Sequence, residues 1–281
     1  MFPLVEAPAD VEGCAVHCES PMVFTIDGFL SATECEHFKS LACGRMRRAQ
    51  VVGGSADTVD APHMYSEGRT NSNTWLQMHD PVLVSIEHRI CSMLGVPPYH
   101  SEHFQVVQYE KGQRYGPHMD THAVTTADTP GGQRTATVLL YLNDVEGGGT
   151  TDFVKLGLSV EPRQGRLLCF HNCLPGTNTP DPRTLHTGTA VTSGEKWAVN
   201  KWIRERRIRL SYEREGEPGI VHLGMTAVEL LALIADLSLE EAETIIEEEQ
   251  VALPASSSAK GLGLTECQCL LRAHWGIDSS S

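Results

Sequence analysis

The chain of 281 residues contains no run of eighteen apolar residues, so no membrane-spanning helix is expected. Its first residues, MFPLVEAPADVEGCAVHCESP, lack a basic segment followed by an apolar core. No secretory signal is expected there, and the chain is read as cytoplasmic or nuclear. The nine cysteines form no CxxC pair, which argues against a disulfide framework or a structural zinc site and for reduced thiols. Positive charge is scarce as well: 22 Lys and Arg face 36 Asp and Glu, a net charge of −14. Such a balance excludes general nucleic-acid binding by the chain as a whole.

The acidity is local. Residues 213–253 hold eleven acids against Arg214 alone, whereas the chain before them is nearly balanced. One short basic run, Lys201, Arg204, Arg206, Arg207 and Arg209, is read as a solvated strand end rather than a phosphate site. Hydrophobic residues at 41% are ordinary for a globular protein. The length suits one domain of about 200 residues plus an appendage.

Elements follow from pattern. Residues 21–30 read as a strand running into a turn, and Ser31-Ala32-Thr33-Glu34 is a capping box opening a helix to about Cys43. A second helix is expected from Pro81 to Leu94, closed by Gly95. Strands are expected at 103–110, 134–145, 151–155, 158–162, 165–171, 185–191 and 196–206, each short, β-branched or aromatic and bounded by turn residues. So many strands in about a hundred residues indicate a sandwich or barrel, expected as a jelly roll (double-stranded β-helix) flanked by the N-terminal helices. The fold class is thus α+β with a mainly β core. Capping boxes at Thr226, Ser238 and Thr265, each before an apolar stripe, suggest a small C-terminal helical module. The expected division is an extension at 1–20, a β domain at 21–212 and an acidic helical region at 213–281.

Two of thirteen histidines stand out. His118 and Asp120 sit two apart, so an extended backbone turns both toward one face. His186 follows sixty-eight positions after His118, inside an expected strand, and Lys196 ten positions later. Two imidazoles and a carboxylate make a three-point face for iron(II), leaving three positions for a chelating 2-oxo acid and O2. Lys196 then offers a fixed positive charge for the far carboxylate of that cosubstrate. Any other single histidine here is better read as surface or core.

Beyond spacing, the residues resemble a family. Val107-Gln108-Tyr109, Gly112 to Asp120, Gly132-Gln133-Arg134, Leu185-His186 and Lys196-Trp197 with Asn200-Lys201-Trp202 are similar to the iron-site signature of prolyl 4-hydroxylases, which are Fe(II)/2-oxoglutarate dioxygenases. The likeness spans about residues 21–206. It implies iron ligation by His118, Asp120 and His186, a bond from Lys196 to the C5 carboxylate of 2-oxoglutarate, and help from Tyr109 and Thr151 in holding that cosubstrate. Tyr115, Arg134 and Trp202 fall where the family contacts its peptide substrate. For Arg134 a structural ion pair, and for Trp202 a packed strand aromatic, stand beside that role. The implied reaction is 4-hydroxylation of prolyl residues coupled to decarboxylation of 2-oxoglutarate to succinate and CO2, with ascorbate as a helper. The loops at 53–74 and 121–133 are expected to close over an extended peptide. The rivals are an oxygenase of the same fold acting on another substrate, a silent binding protein presenting its acidic helices to a protein partner, and a zinc hydrolase. No nucleic-acid or membrane partner is expected.

Overall fold

A computed structural model describes residues 6–8, 11–52, 63–76, 78, 80–122 and 131–208. The strands are β1 (Cys14–Glu19), β2 (Met22–Ile26), β3 (Arg47–Arg48), β4 (Val51–Val52), β5 (His63–Met64), β6 (Ser72–Leu76), β7 (Phe104–Tyr109), β8 (Tyr115–His118) and β9 (Arg134–Tyr141). They continue with β10 (Gly147–Gly148), β11 (Thr151–Phe153), β12 (Leu158–Val160), β13 (Leu167–His171), β14 (His186–Gly188), β15 (Val191–Ser193) and β16 (Lys196–Arg204). Helix α1 is Ala32–Ala42 and α2 is Pro81–Leu94.

The major sheet runs β1-β2-β13-β9-β16-β7-β6-β3, and a minor sheet runs β12-β11-β14-β8, every described pairing being antiparallel. Two short ladders, β10-β15 and β4-β5, complete the set. The core lies between the sheets. Val107, Tyr109, Leu139, Tyr141, Leu168, Phe170 and Ala198 of the major sheet form one apolar cluster with Phe153 and Val160 of the minor sheet. Phe153 and Phe170 meet edge to face at 4.9 Å, each fully buried ring contributing about 1.5–3 kcal/mol by area alone. This two-layer packing is the expected jelly roll.

Alternation explains the second face. On β7, Val107 and Tyr109 join the cluster while Phe104 points the other way and meets Phe38 of α1 at 5.2 Å. Cys35, Phe38 and Ala42, spaced three and four apart, are the buried stripe of that helix. Its start is the expected capping box: the Ser31 side chain accepts from the Glu34 backbone N–H at 3.2 Å, and the Ser31 N–H donates to Glu34 Oε2 at 2.8 Å.

Two expectations need correction. Residues 14–19, inside the expected extension 1–20, form β1 and pair with β2; the β domain therefore begins before residue 21. Their side chains are mostly exposed, as on an edge strand, so they carry little apolar signal. The basic run is a solvated end only at Arg206 and Arg207, which are exposed, and Arg209 lies outside the described residues. Lys201 is wholly buried with its ammonium 4.2 Å from the Phe104 ring, and Arg204 is buried against Glu102.

Among the described residues, those up to 76 with those from 90 to 208 form one compact unit, and those from 78 to 89 belong to another. In the second unit, Asp80 caps the start of α2, its carboxylate accepting from the backbone N–H groups of Val82 at 2.9 Å and Leu83 at 3.2 Å. The expected C-terminal helices lie outside the described residues.

Candidate active site

β8 and β14 pair so that His118 and His186 are direct cross-strand partners. Strand β8 stops at His118, and Asp120 follows at a bend rather than on extended backbone. Even so, one ligand atom from each of the three residues lies within 4.8 Å of the others. His118 Nε2 is 3.6 Å from Asp120 Oδ1, and His186 Nε2 is 3.8 Å from Asp120 Oδ2. This is the separation expected of groups that share an ion rather than a proton.

Each ring is oriented the same way. The Nδ1 of His118 lies 2.9 Å from the carbonyl of Gly116, and the Nδ1 of His186 lies 2.9 Å from the carbonyl of Thr184. A carbonyl only accepts, so Nδ1 carries the proton and Nε2 presents a lone pair to the cleft. His186 is enclosed by Phe170 at 4.9 Å, Phe153 at 5.7 Å and His118 at 4.3 Å. Burial, helped by His118, lowers its pKa to about 4, so the ring is neutral at physiological pH. Tyr115 stacks on His118 at 3.5 Å, and Arg69 lies over the far side of Tyr115 at 4.6 Å.

Asp120 is set by the major sheet. Thr137 Oγ1 donates to Asp120 Oδ2 at 2.7 Å and itself accepts from Asn172 Nδ2 at 2.9 Å. Burial works against the charge of Asp120, but His186, His118 and Arg134 outweigh it and hold the carboxyl well below the usual range. The set of two imidazoles aimed by main-chain carbonyls, one ionised carboxylate and an opening on a cleft fits iron(II).

That cleft, of about 790 Å³, is lined by the triad and by Tyr109, Tyr115, Arg134, Thr151, Lys196 and Trp202. All nine residues singled out from sequence therefore converge on it. Lys196 is 3% exposed. Its ammonium donates to the Gly149 carbonyl at 2.6 Å and lies 5.3 Å from the Tyr141 ring and 5.5 Å from the Tyr109 ring. Burial pulls its pKa down to about 7, against the weaker effect of Asp152. A buried ammonium with three donors and one carbonyl acceptor among the described residues suits a carboxylate. Gly149 sits at φ +72, a left-handed conformation that favours glycine, and lies in van der Waals reach of the Lys196 side chain. The Tyr141 hydroxyl donates to Thr151 Oγ1 at 2.8 Å, which leaves the Thr151 proton to point elsewhere. Burial pushes the Tyr109 hydroxyl above the usual phenol range, so it stays a donor.

Arg134 is committed on three sides. It grips Glu102 in two-point fashion at 2.7 and 2.9 Å, reaches the Asp120 carbonyl at 3.4 Å, and covers the Trp202 ring at 3.9 Å. The ion-pair reading holds for its fork, while the residue still lines the cleft. Trp202 is 5% exposed and its Nε1 has no partner among the described residues. His122, passed over as ordinary, lines the cleft and engages Arg204. Thr137, Tyr141, Gly149, Asn172 and Glu102 were also missed. Only the alternation of Thr137, Leu139 and Tyr141 on one face of β9 offered a signal.

The family model described as the 2OG-Fe(II) oxygenase superfamily matches residues 104–204. Among curated proteins, the chain is 36% identical over 205 residues to probable prolyl 4-hydroxylase 4 of Arabidopsis thaliana, covering 65% of this chain and 67% of that protein. It is 38% identical over 203 residues to probable prolyl 4-hydroxylase 3 of the same plant, covering 65% and 69%. Among solved structures, the viral collagen prolyl hydroxylase of Paramecium Bursaria Chlorella virus-1, in complex with 2OG, superposes with a TM-score of 0.53 at 30% identity, covering 67% of this chain and 98% of that one.

Proposed function

Since the chain belongs to the prolyl 4-hydroxylases of the 2OG-Fe(II) oxygenase superfamily, we propose that His118, Asp120 and His186 hold its iron(II) and that Lys196, Tyr109 and Thr151 hold its cosubstrate. The enzyme is a 2-oxoglutarate-dependent dioxygenase that hydroxylates prolyl residues. When bound, iron and 2-oxoglutarate supply O2 activation, one oxygen atom going to succinate and the other to proline C4, with release of CO2.

The convergence of three ligand atoms in the cleft that also holds a buried, nearly unpartnered ammonium carries the assignment. The residues do the rest by position. The two backbone carbonyls keep both Nε2 lone pairs aimed at one point, and Thr137 keeps Asp120 from swinging away. Lys196 neutralises the far carboxylate of the cosubstrate, and the hydroxyls of Tyr109 and Thr151 direct protons toward it. Tyr115, Arg134 and Trp202 form the wall against which the peptide lies.

Ascorbate belongs to this reading as an assay component. The seven described cysteines are all free thiols, which supports a reducing compartment, cytoplasmic or nuclear. No helix among the described residues is long and apolar enough to cross a membrane. The acidic residues 213–253 are a candidate surface for a protein partner. Deleting 217–281 and measuring both activity and partner capture tests that. The main test is succinate release with a panel of proline peptides, with mass spectrometry locating the added oxygen. The wild type is expected to oxidise a proline peptide and His186→Ala none; release of succinate with no peptide oxidised by the wild type overturns the prolyl assignment.

A further inference from the structure

In a chain of net charge −14, the cleft inverts the sign. Arg47, Arg48, Arg69, Arg134 and Lys196 line it, and Asp120 is the single acid among the described residues that line it. Two of those cations have an occupation: Arg134 grips Glu102, and Lys196 faces the cosubstrate position. The other three meet no buried acid among the described residues. Arg69 donates only to neutral acceptors among the described residues, Asn71 Oδ1 at 3.2 Å, the Gln50 carbonyl at 3.2 Å and Gln105 Oε1 at 3.4 Å. Arg47 meets backbone carbonyls, of Met46 at 2.8 Å and Gly44 at 3.4 Å. Arg48 lies over the exposed Tyr65 ring at 5.0 Å, and its acidic neighbour Glu67, at 3.7 Å, is itself 97% exposed. Such a pair is worth little and opens readily.

Strand register places this charge. Ala198 pairs with Val107, Val107 with Asn73 and Asn73 with Arg47, and all four line the cleft. They form one row across β16, β7, β6 and β3, with β3 at the edge of the major sheet. At about 4.8 Å per strand the row spans roughly 14 Å, the length of about four extended residues. Amide side chains (Asn73, Gln105, Asn200, Gln50) and the half-exposed Trp75 lie between, a surface suited to an extended backbone.

We propose that the β3 rim, through Arg47 and Arg48 with Arg69 behind them, selects peptides bearing Asp or Glu several residues from the target proline. This rests on the prolyl-hydroxylase reading and deepens it. The partner is a peptide rather than a nucleic acid because the charge is continuous with the cleft that takes the proline and is limited to one short edge.

Binding tests it separately from turnover. Fluorescently labelled proline peptides carrying Glu on one flank or the other are compared with their Gln counterparts by anisotropy, using the iron-loaded protein with 2-oxoglutarate under anaerobic conditions. One of the Glu peptides is expected to bind about tenfold tighter than its Gln counterpart at low salt, as a few exposed pairs allow, and the gap closes at high salt. In Arg47→Glu with Arg48→Glu the preference is lost or reversed while peptide-free decarboxylation of 2-oxoglutarate is unchanged. The Gln versions of both substitutions, which remove charge without adding any, lose the preference too. Equal binding of Glu and Gln peptides by the wild type, or a preference that survives in both double variants, overturns the proposal. A single-stranded RNA that displaces the Glu peptide at equal concentration overturns the choice of partner. Selective binding of the Glu peptide with no oxygen added to its proline would instead sink the prolyl reading and leave the rim's selectivity standing.

Discussion

The two ends of the deep site are built on opposite plans. At the triad, the groups that aim the ligand atoms are already satisfied: both Nδ1 protons sit on backbone carbonyls, and Asp120 is held by Thr137, itself held by Asn172. At Lys196, on the other sheet, a buried cation has one carbonyl and two ring faces. The first end is finished by the protein, so geometry there precedes any ligand. The second is completed only by an anion, so binding there is where free energy is gained.

Four experiments break or sharpen this contrast, taken from the largest effect. His186→Ala removes one of the three proposed ligands, the described residues offering no second group of this kind, and both iron content and prolyl oxidation are expected to fall to background, read by metal analysis and product mass spectrometry. Lys196→Met should raise the KM for 2-oxoglutarate by about 10²-fold, since the far carboxylate would then be buried without its counter-charge. The same variant should be more heat-stable than the wild type without cosubstrate, because a costly buried charge is gone; a lower Tm would contradict the unfinished plan. Thr137→Val should cost about 10- to 100-fold in iron affinity, as outer hydrogen-bonding partners of ligands commonly do, and should lower Tm as well, since the buried Asn172 amide loses its acceptor. The smallest effect is on pH. Lys196 has its pKa lowered to about 7 in the cosubstrate-free protein, so binding of the dicarboxylate takes up a proton above that pH. Affinity should therefore fall as pH rises from about 7, by at most about tenfold per unit, measured as the Kd for 2-oxoglutarate. The folding linkage has the opposite sense: between about 7 and the unfolded value of 10.5 the unfolded chain binds more protons, so this group makes stability rise with pH.

Much of this was legible in the chain. The strands over 103–110, 165–171 and 196–206, the capping box at Ser31 and the helix Pro81–Leu94 are local patterns, and local patterns survive folding. The triad was legible because its spacing is chemical. What escaped has a common cause. Thr137, Asn172, Glu102 and Tyr141 act through partners 10 to 35 positions away or more, and a threonine or asparagine on a strand has nothing in its own neighbourhood to mark it. Strand β1 was missed for a different reason, since an edge with exposed side chains shows no burial pattern. The misreading of Lys201 and Arg204 came from treating charge as a surface property, when Phe104 and Glu102 make interior places for both.

The acceptors that aim the two histidines are main-chain carbonyls, at Gly116 and Thr184. The hydrogen bonds that aim the cleft-facing nitrogens are thus inherited from the backbone course of strand β8 and of the turn leading into β14. Thr184 can be exchanged without losing its carbonyl, and the cleft walls can be rewritten residue by residue while the reactive centre keeps its aim. A lineage carrying this backbone can change what it oxidises without having to rebuild how it oxidises.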